Sequence, residues 1–398
     1  MAERKAIRLG SVVRTNVSTY SEKEGWAFVN YLDTGNITQD TISEIQRINV
    51  GTDKLPSRAR RKVQIGNIIY STVRPNQLHY GFIKSQPDNF LVSTGFAVID
   101  VNEKEAVPEY IYYFLTHRDV TERLQAIAEQ STSAYPSIKP SDIEDLTIDL
   151  PPIEEQRKIV GLLKMLDGKI KQNTEINNNL TEQARSIYQS WFIDYEPFGR
   201  TMPLDWIPSS LGGVATMKTD SWSPSKNPET IVEHYSIPAY DEKHYPVFEI
   251  ASGIKSNKYI LTPDSVMISK LNPDTKRIWR PMCLSAHPIC STEFIVYEAK
   301  KAAQKDFVYS ILDSAPFLNF LCSHTTGSTN SRQRATPKAT LDFPIMLPPD
   351  SIIEEFCQIV SPMYDLISKN IIENQSLAKA RDIMLPKLMN GELEVSDL

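Results

Sequence analysis

The chain is written twice. Leu150-Pro151-Pro152 opens a long mixed polar and apolar stretch, and Leu347-Pro348-Pro349 opens another 197 residues on (150 to 347). From there the register holds without a gap: Leu166 matches Met363, Ile170 matches Ile367, Leu180 matches Leu377, and Asn173 and Asn177 fall on Asn370 and Asn374. Upstream the offset changes by one residue, so that Ser93-Thr94 fall on Ser291-Thr292 and Pro75 falls on Pro273. Solenoid units have periods of roughly 20–50 residues, so this repeat is a duplicated domain-plus-helix module. A ligand suited to such a protein should itself have two parts.

At 398 residues the chain can support two or three cored domains. No apolar run approaches the ~18–20 residues that span a bilayer, and Met1-Ala2-Glu3-Arg4-Lys5 lacks the apolar core of a signal peptide. A cytoplasmic protein with no membrane partner is the expectation. All four cysteines (283, 290, 322, 357) lie in the second copy, so they are no framework of the fold. The spacing of Cys283, His287 and Cys290 fits no common zinc site, and ordinary strand cysteines are the better reading, with no metal. A net charge of −6 counts against a protein coated in positive charge for indiscriminate nucleic-acid binding, though not against local basic patches.

Residues 1–150 read as mixed α/β. Ile68 to Val73, Phe90 to Val92 and Phe96 to Ile99 are β-rich runs bounded by Gly, Pro and Asn. After Pro108 a helix is expected over 109–127, with Tyr110, Tyr113, Phe114, Leu124 and Ile127 at near-helical spacing. The second copy repeats the order over 197–347, with Val266 to Ser269 as the strand and 307–321 as the helix.

The stretches 151–196 and 348–398 read as long spacer helices. In the first, Ile159, Leu163, Leu166, Ile170, Asn173, Asn177, Leu180, Ile187 and Trp191 follow an alternating 4-3 spacing, a heptad seam. Met363, Ile367, Asn370, Asn374, Leu377, Met384 and Leu388 keep the same phases in the second, where Pro362 and Pro386 should kink or briefly break the helix. A helix of about 40 residues rises about 60 Å, too long for one small domain to cover, so the two seams are expected to pack on each other. Antiparallel pairing sets Asn173 against Asn374, Asn177 against Asn370, Leu163 against Met384, Ile159 against Leu388 and Trp191 against Phe356. The expected fold class is α+β: two duplicated globular domains separated by two long antiparallel coiled-coil helices, with pseudo-two-fold symmetry.

Catalytic signatures are missing. The chain has no GxxxxGK[ST] loop and no GxGxxG, and its six histidines lack a base-and-nucleophile context. Asn272-Pro273-Asp274-Thr275 has no aromatic to stack on a flipped base, and a turn is the better reading. The pattern is that of a binding protein.

Polar and cationic residues gather in loops at equivalent places of both copies. In the first are Arg58, Arg60, Arg61 and Lys62; then Arg74, Asn76, Gln77, His79 and Tyr80; then Ser131, Thr132 and Ser133. In the second are Lys270, Asn272, Lys276, Arg277, Trp279 and Arg280, then Ser328, Thr329, Asn330, Arg332, Gln333 and Arg334. Arg, Lys, Asn and Gln can grip base edges in a duplex groove, and hydroxyls and cations hold phosphates. Any one loop taken alone reads as a solvated surface. Recurrence in both copies favours DNA binding.

The stretch LPPIEEQRKIVGLLKMLDGKIKQNTEINNNLTEQARSIYQSWF resembles the central spacer of specificity subunits of Type I restriction-modification enzymes, and IENQSLAKARDIMLPKLMNGEL resembles their C-terminal spacer. PSRARRKVQIGNIIYSTVRP, STGFAVI and IVEHYSIPAYD are similar to segments of their target recognition domains. The second spacer departs from the usual PPxxEQ opening, with Asp350-Ser351-Ile352-Ile353-Glu354-Glu355 after the prolines. The resemblance implies that each recognition domain reads one half of a bipartite double-stranded DNA target while the helices set the unread gap. It implies two modification subunits carrying S-adenosylmethionine, and restriction subunits carrying ATP and Mg. This chain itself should be non-catalytic and hold no cofactor. Rival readings are a fused methyltransferase-nuclease, a stand-alone duplicated DNA-binding regulator, and a specificity subunit of another multi-subunit restriction class.

Overall fold

Ile68–Ser71 and Ser265–Ser269 are buried along their whole length, the signature of strands covered on both faces. Each is central to a four-stranded antiparallel sheet. In the first copy the order is Val13–Thr15, Phe96–Val101, Ile68–Ser71, Tyr80–Phe82; in the second it is Ala215–Lys218, Phe294–Ala299, Ser265–Ser269, Ile278–Trp279. The register repeats too, Phe96 opposite Ser71 and Phe294 opposite Ser269. A second sheet lies beside each. Phe90–Ser93 runs parallel to Phe28–Leu32 in one, and Pro288–Ser291 runs parallel to Ile231–Tyr235 in the other.

This computed structural model describes residues 4–131, 135–326 and 333–395. The chain forms two compact units, Met1–Gly168 with Leu377–Leu398, and Lys169–Ser376. Each unit takes in part of both long helices. No helix of the described residues is long and apolar enough to cross a membrane.

The helix expected over 109–127 is two helices, Pro108–Thr116 and Arg118–Glu129, broken at His117. The stretch 307–321 divides in the same way into Lys305–Asp313 and Ala315–Ser323, broken at Ser314. His117 and Ser314 are equivalent positions, and both adopt extended backbone while their side chains accept the amide of Asp119 and Phe317 respectively. A side-chain acceptor at this position caps the second helix and ends the first.

The long helices are Ile153–Phe192 and Asp350–Asn390. Each starts just after its Pro-Pro pair, with the Pro152 and Pro349 carbonyls accepting the first helical amides. The second helix runs unbroken through Pro362 and Pro386, so the short breaks expected there are not found.

Within the first unit, Ile159, Val160 and Leu163 share a core with Leu385 and Leu388, flanked by Met384. Within the second, Trp191 packs on Phe356 with centroids 6.1 Å apart, and Ile187, Met363 and Ile367 flank the same core. Asn173, 1% exposed, donates to Asn374 Oδ1 at 2.9 Å, and Asn370 donates to Asn177 Oδ1 at 2.8 Å. Rising numbers on one helix meet falling numbers on the other, so the helices run antiparallel. Leu166, Leu180 and Leu377 are half-buried.

Candidate nucleic-acid interface

Two equivalent loops leave the buried strands, 72–79 and 270–277, and one set of hydrogen bonds holds both. Ser71 Oγ donates to the Val73 carbonyl at 2.9 Å and accepts its amide at 3.2 Å; Ser269 Oγ does the same with Leu271 at 3.0 and 3.1 Å. The Thr72 amide donates to Gly95 O at 2.8 Å, and the Lys270 amide donates to Glu293 O at 2.9 Å. Arg74 N reaches Pro136 O at 2.9 Å, and Asn272 N reaches Gln333 O at 3.0 Å. Arg74 and Asn272 both sit in the left-handed region, at φ 48° and 47°. A side-chain-bearing residue there is strained by roughly 1–3 kcal/mol, and the fold sustains that strain twice at one equivalent place.

On this shared scaffold the side chains differ. In the first unit the Arg74 guanidinium lies 4.9 Å from the Tyr135 ring centroid, and Asn76 and Gln77 are exposed. His79 Nδ1 is 2.6 Å from the Ile37 carbonyl oxygen. Tyr80 is buried, stacked on Tyr70 at 5.8 Å, and belongs to the core. Of the basic run, Arg58 is exposed, Arg60 pairs with Glu22 at 3.3 Å, and Lys62 pairs with Glu24 beside the Trp26 ring. The Lys62 hydrogen bond holds Glu24 below the usual carboxylate range, and burial lowers the Arg61 guanidinium pKa. Ser131 Oγ and Ser137 Oγ are 3.3 Å apart. Thr132 and Ser133 lie outside the described residues, as do Ser328, Thr329, Asn330 and Arg332.

In the second unit most of the expected contacts are taken up inside the fold. Arg277 makes two bonds to Asp241, at 2.6 and 2.9 Å. Arg280 bridges Asp306 at 2.7 Å and Asp365 at 2.8 Å. Lys276 pairs with Asp313, which also accepts Arg185 of the first long helix at 2.6 Å. Burial lowers the Lys276 pKa against the pull of Asp313. Trp279 is buried, edge-on to Tyr235 at 4.7 Å. Arg334 remains exposed, paired with Glu293 at 3.0 Å, while Lys270, Asn272 and Gln333 are half-buried at the loop. Among the described residues, Arg58, Arg74, Asn76, Gln77, Lys270, Gln333 and Arg334 are interface side chains that stay at least partly accessible.

Residue patterns did not single out Asp306 or Asp313, because their partners lie far away in sequence and each reads as an ordinary helical acid. Among the described residues no cluster of His, Cys, Asp and Glu could hold a metal. Cys290 is buried in its strand, and burial pushes its thiol well up. Burial likewise raises Cys283, to about 12.

A duplicated mixed α/β protein that sets different side chains on one loop scaffold, with long antiparallel helices, is by class a two-part recognition protein. Residues 7–182 match the family described as the Type I restriction modification DNA specificity domain. Over 99% of its length the chain is 24% identical to the whole Type I restriction enzyme HindI specificity subunit of Haemophilus influenzae. Over 98% it is 25% identical to the Type I restriction enzyme MjaIX specificity subunit of Methanocaldococcus jannaschii, covering 93% of that protein. Its fold is similar to the crystal structure of the Type I restriction-modification S subunit from M. genitalium, with TM-score 0.58, 15% identity, and coverage of 98% of this chain and 96% of that one. Over nearly its whole length the chain is thus similar to Type I restriction-modification specificity subunits.

Proposed function

We propose that this specificity subunit reads a bipartite double-stranded DNA target, one half through residues of 1–150 and the other through residues of 197–347. The stretches 151–196 and 348–398 set the length of the unread gap and carry two modification subunits, which restriction subunits join in the cytoplasm. S-adenosylmethionine, ATP and Mg belong to those partners; this chain supplies recognition.

One observation carries the reading: equivalent loops share their backbone hydrogen bonds and φ angles while their exposed side chains differ. A fixed platform with exchanged contacts suits two readers of different half-sites. Arg58, Arg74, Asn76, Gln77, Lys270, Gln333 and Arg334 are the proposed DNA contacts. Phosphate neutralisation by partner subunits reconciles a net charge of −6 with a DNA ligand. Exchanging residues 205–345 for those of another family member, then mapping methylated sites, should change one half of the target and leave the other intact. A change in both halves would end the idea of independent readers.

A further inference from the structure

The second unit holds a cleft of about 260 Å³ beside the loop 270–277. Lys218, Lys270 and Lys338 line it, over a floor that includes Met217, Tyr259 and Phe294. Lys218 ends the strand Ala215–Lys218 and pairs with Glu298 at 3.0 Å. Lys270 and Lys338 meet no carboxylate within salt-bridge distance among the described residues.

The first copy carries no lysine at the equivalent positions. Lys270 stands where the first copy has Thr72, Lys338 where it has Ser141, and Lys218, opposite Val296, where it has Asn16 opposite Val98. The Thr72 hydroxyl is tied to the Gly95 carbonyl at 2.9 Å, and the Asn16 side-chain Oδ1 accepts the Val98 amide at 3.0 Å. The first copy thus closes two of these three positions with internal hydrogen bonds, while the second lines its cleft with three lysines.

The volume is below the ~300–1,000 Å³ of pockets for whole small molecules, so a group of few atoms is the fitting occupant. Lysines act as flexible point charges that suit phosphate oxygens, whereas bidentate base reading favours Arg, Asn and Gln. The adjoining loop is the one proposed to face DNA. We propose that this cleft seats one backbone phosphate of the second half-site, with its deoxyribose against Met217 and Tyr259. The inference rests on the DNA-reading role argued above and adds a positional anchor that the first reader lacks.

The test uses the full chain assembled with its modification subunits, and titrates a duplex carrying its target across a range of salt. Lys270→Gln with Lys338→Gln should reduce the slope of log affinity against log salt by about 0.9, the value for one phosphate. The loss should be equal on duplexes altered in either half, because a phosphate contact carries no base identity. Lys270→Arg with Lys338→Arg should keep the slope. A methylphosphonate walked through the second half-site should weaken the unsubstituted complex at one linkage and leave the Gln variant indifferent there. An unchanged slope, or a loss confined to one base identity, overturns the phosphate seat while the two-reader account stands. If the unsubstituted complex shows no sequence preference at all, the two-reader account itself falls.

Discussion

The Tyr113 hydroxyl donates to Asp167 at 2.7 Å, tying a recognition-domain helix to the first long helix. The equivalent residues of the second copy, Ser310 and Tyr364, lie 3.1 Å apart through their hydroxyls, tying a domain helix to the second long helix. The phenol has changed sides across the duplication, yet one hydrogen bond still closes the same packing layer. Asp167 also accepts Arg381 at 2.7 Å.

Tyr113→Phe should therefore destabilise the first unit by about 1.5–3 kcal/mol, as for a hydrogen bond to a charged group, and Ser310→Ala the second by about 0.5–1.5 kcal/mol. Urea unfolding with an unchanged m-value checks both. Equal losses would mean that the charge on Asp167 adds nothing to its bond.

Asp313, its side chain only 3% exposed, joins Arg185 of the first long helix to Lys276 of the loop 270–277. Asp313→Ala leaves Lys276 and the half-exposed Arg185 without their carboxylate and should cost roughly 1.5–3 kcal/mol, less than for a fully buried pair because both cations keep some solvent. Adding Lys276→Met should recover part of that loss. The measurement is thermal unfolding of all three variants. If the double variant is no more stable than Asp313→Ala, Lys276 is not held by this carboxylate.

The residues that were legible in the sequence are those whose partners follow from periodicity. The seam placed Asn173 on Asn374 and Trp191 near Phe356 because a helix repeats its own geometry. The break at Ser314 was also within reach, since Ser314-Ala315-Pro316 is a cap followed by an early proline; an unbroken apolar spacing outweighed it. The loops were harder. Arg277 and Arg280 look like free cations, and their carboxylates, Asp241, Asp306 and Asp365, lie on other elements. Gln156 shows how a local departure is absorbed. Its buried amide accepts the Val107 amide at 2.8 Å and donates to Pro151 O at 2.8 Å, whereas its counterpart Ile353 is simply packed in the core.

Arg277 and Arg334 should behave differently under truncation. Arg334 is 46% exposed and can exchange Glu293 for DNA, so Arg334→Ala should weaken recognition of the second half-site by roughly 1–3 kcal/mol if the contact is to a base. Arg277 is 13% exposed and held by Asp241, so Arg277→Ala should lower thermal stability and change DNA preference little. Binding to duplexes altered in one half, measured beside unfolding, separates the two. A preference change in Arg277→Ala without loss of stability contradicts the assignment.

The paired amides of Asn173 with Asn374 and of Asn177 with Asn370 trade stability for register. Asn173→Leu with Asn374→Leu should raise the Tm of the second unit, by roughly 2–4 °C per kcal/mol gained at this size. It should also let the helices slip, so that methylated sites appear with a second gap length. Inserting four residues after Asn173 should lengthen the gap or abolish activity. One unaltered gap in both proteins would remove the helices as the ruler.

Lys305 gives the fold a pH dependence of definite sign. Burial, helped by the Arg280 charge, pushes its ammonium down to about 8, although Asp306 pulls the other way. Its Nζ donates to the Pro263 carbonyl. In the unfolded chain a lysine titrates near 10.4. Between these values the unfolded state binds the extra proton, so stability rises with pH from about 8 to about 10, and the burial cost is fully present below 8. Lys305→Met removes the titrating group and should flatten that rise. Denaturant midpoints of both proteins across pH 7–10.5 provide the check. A rise of the same size in the methionine variant would assign the dependence to another group.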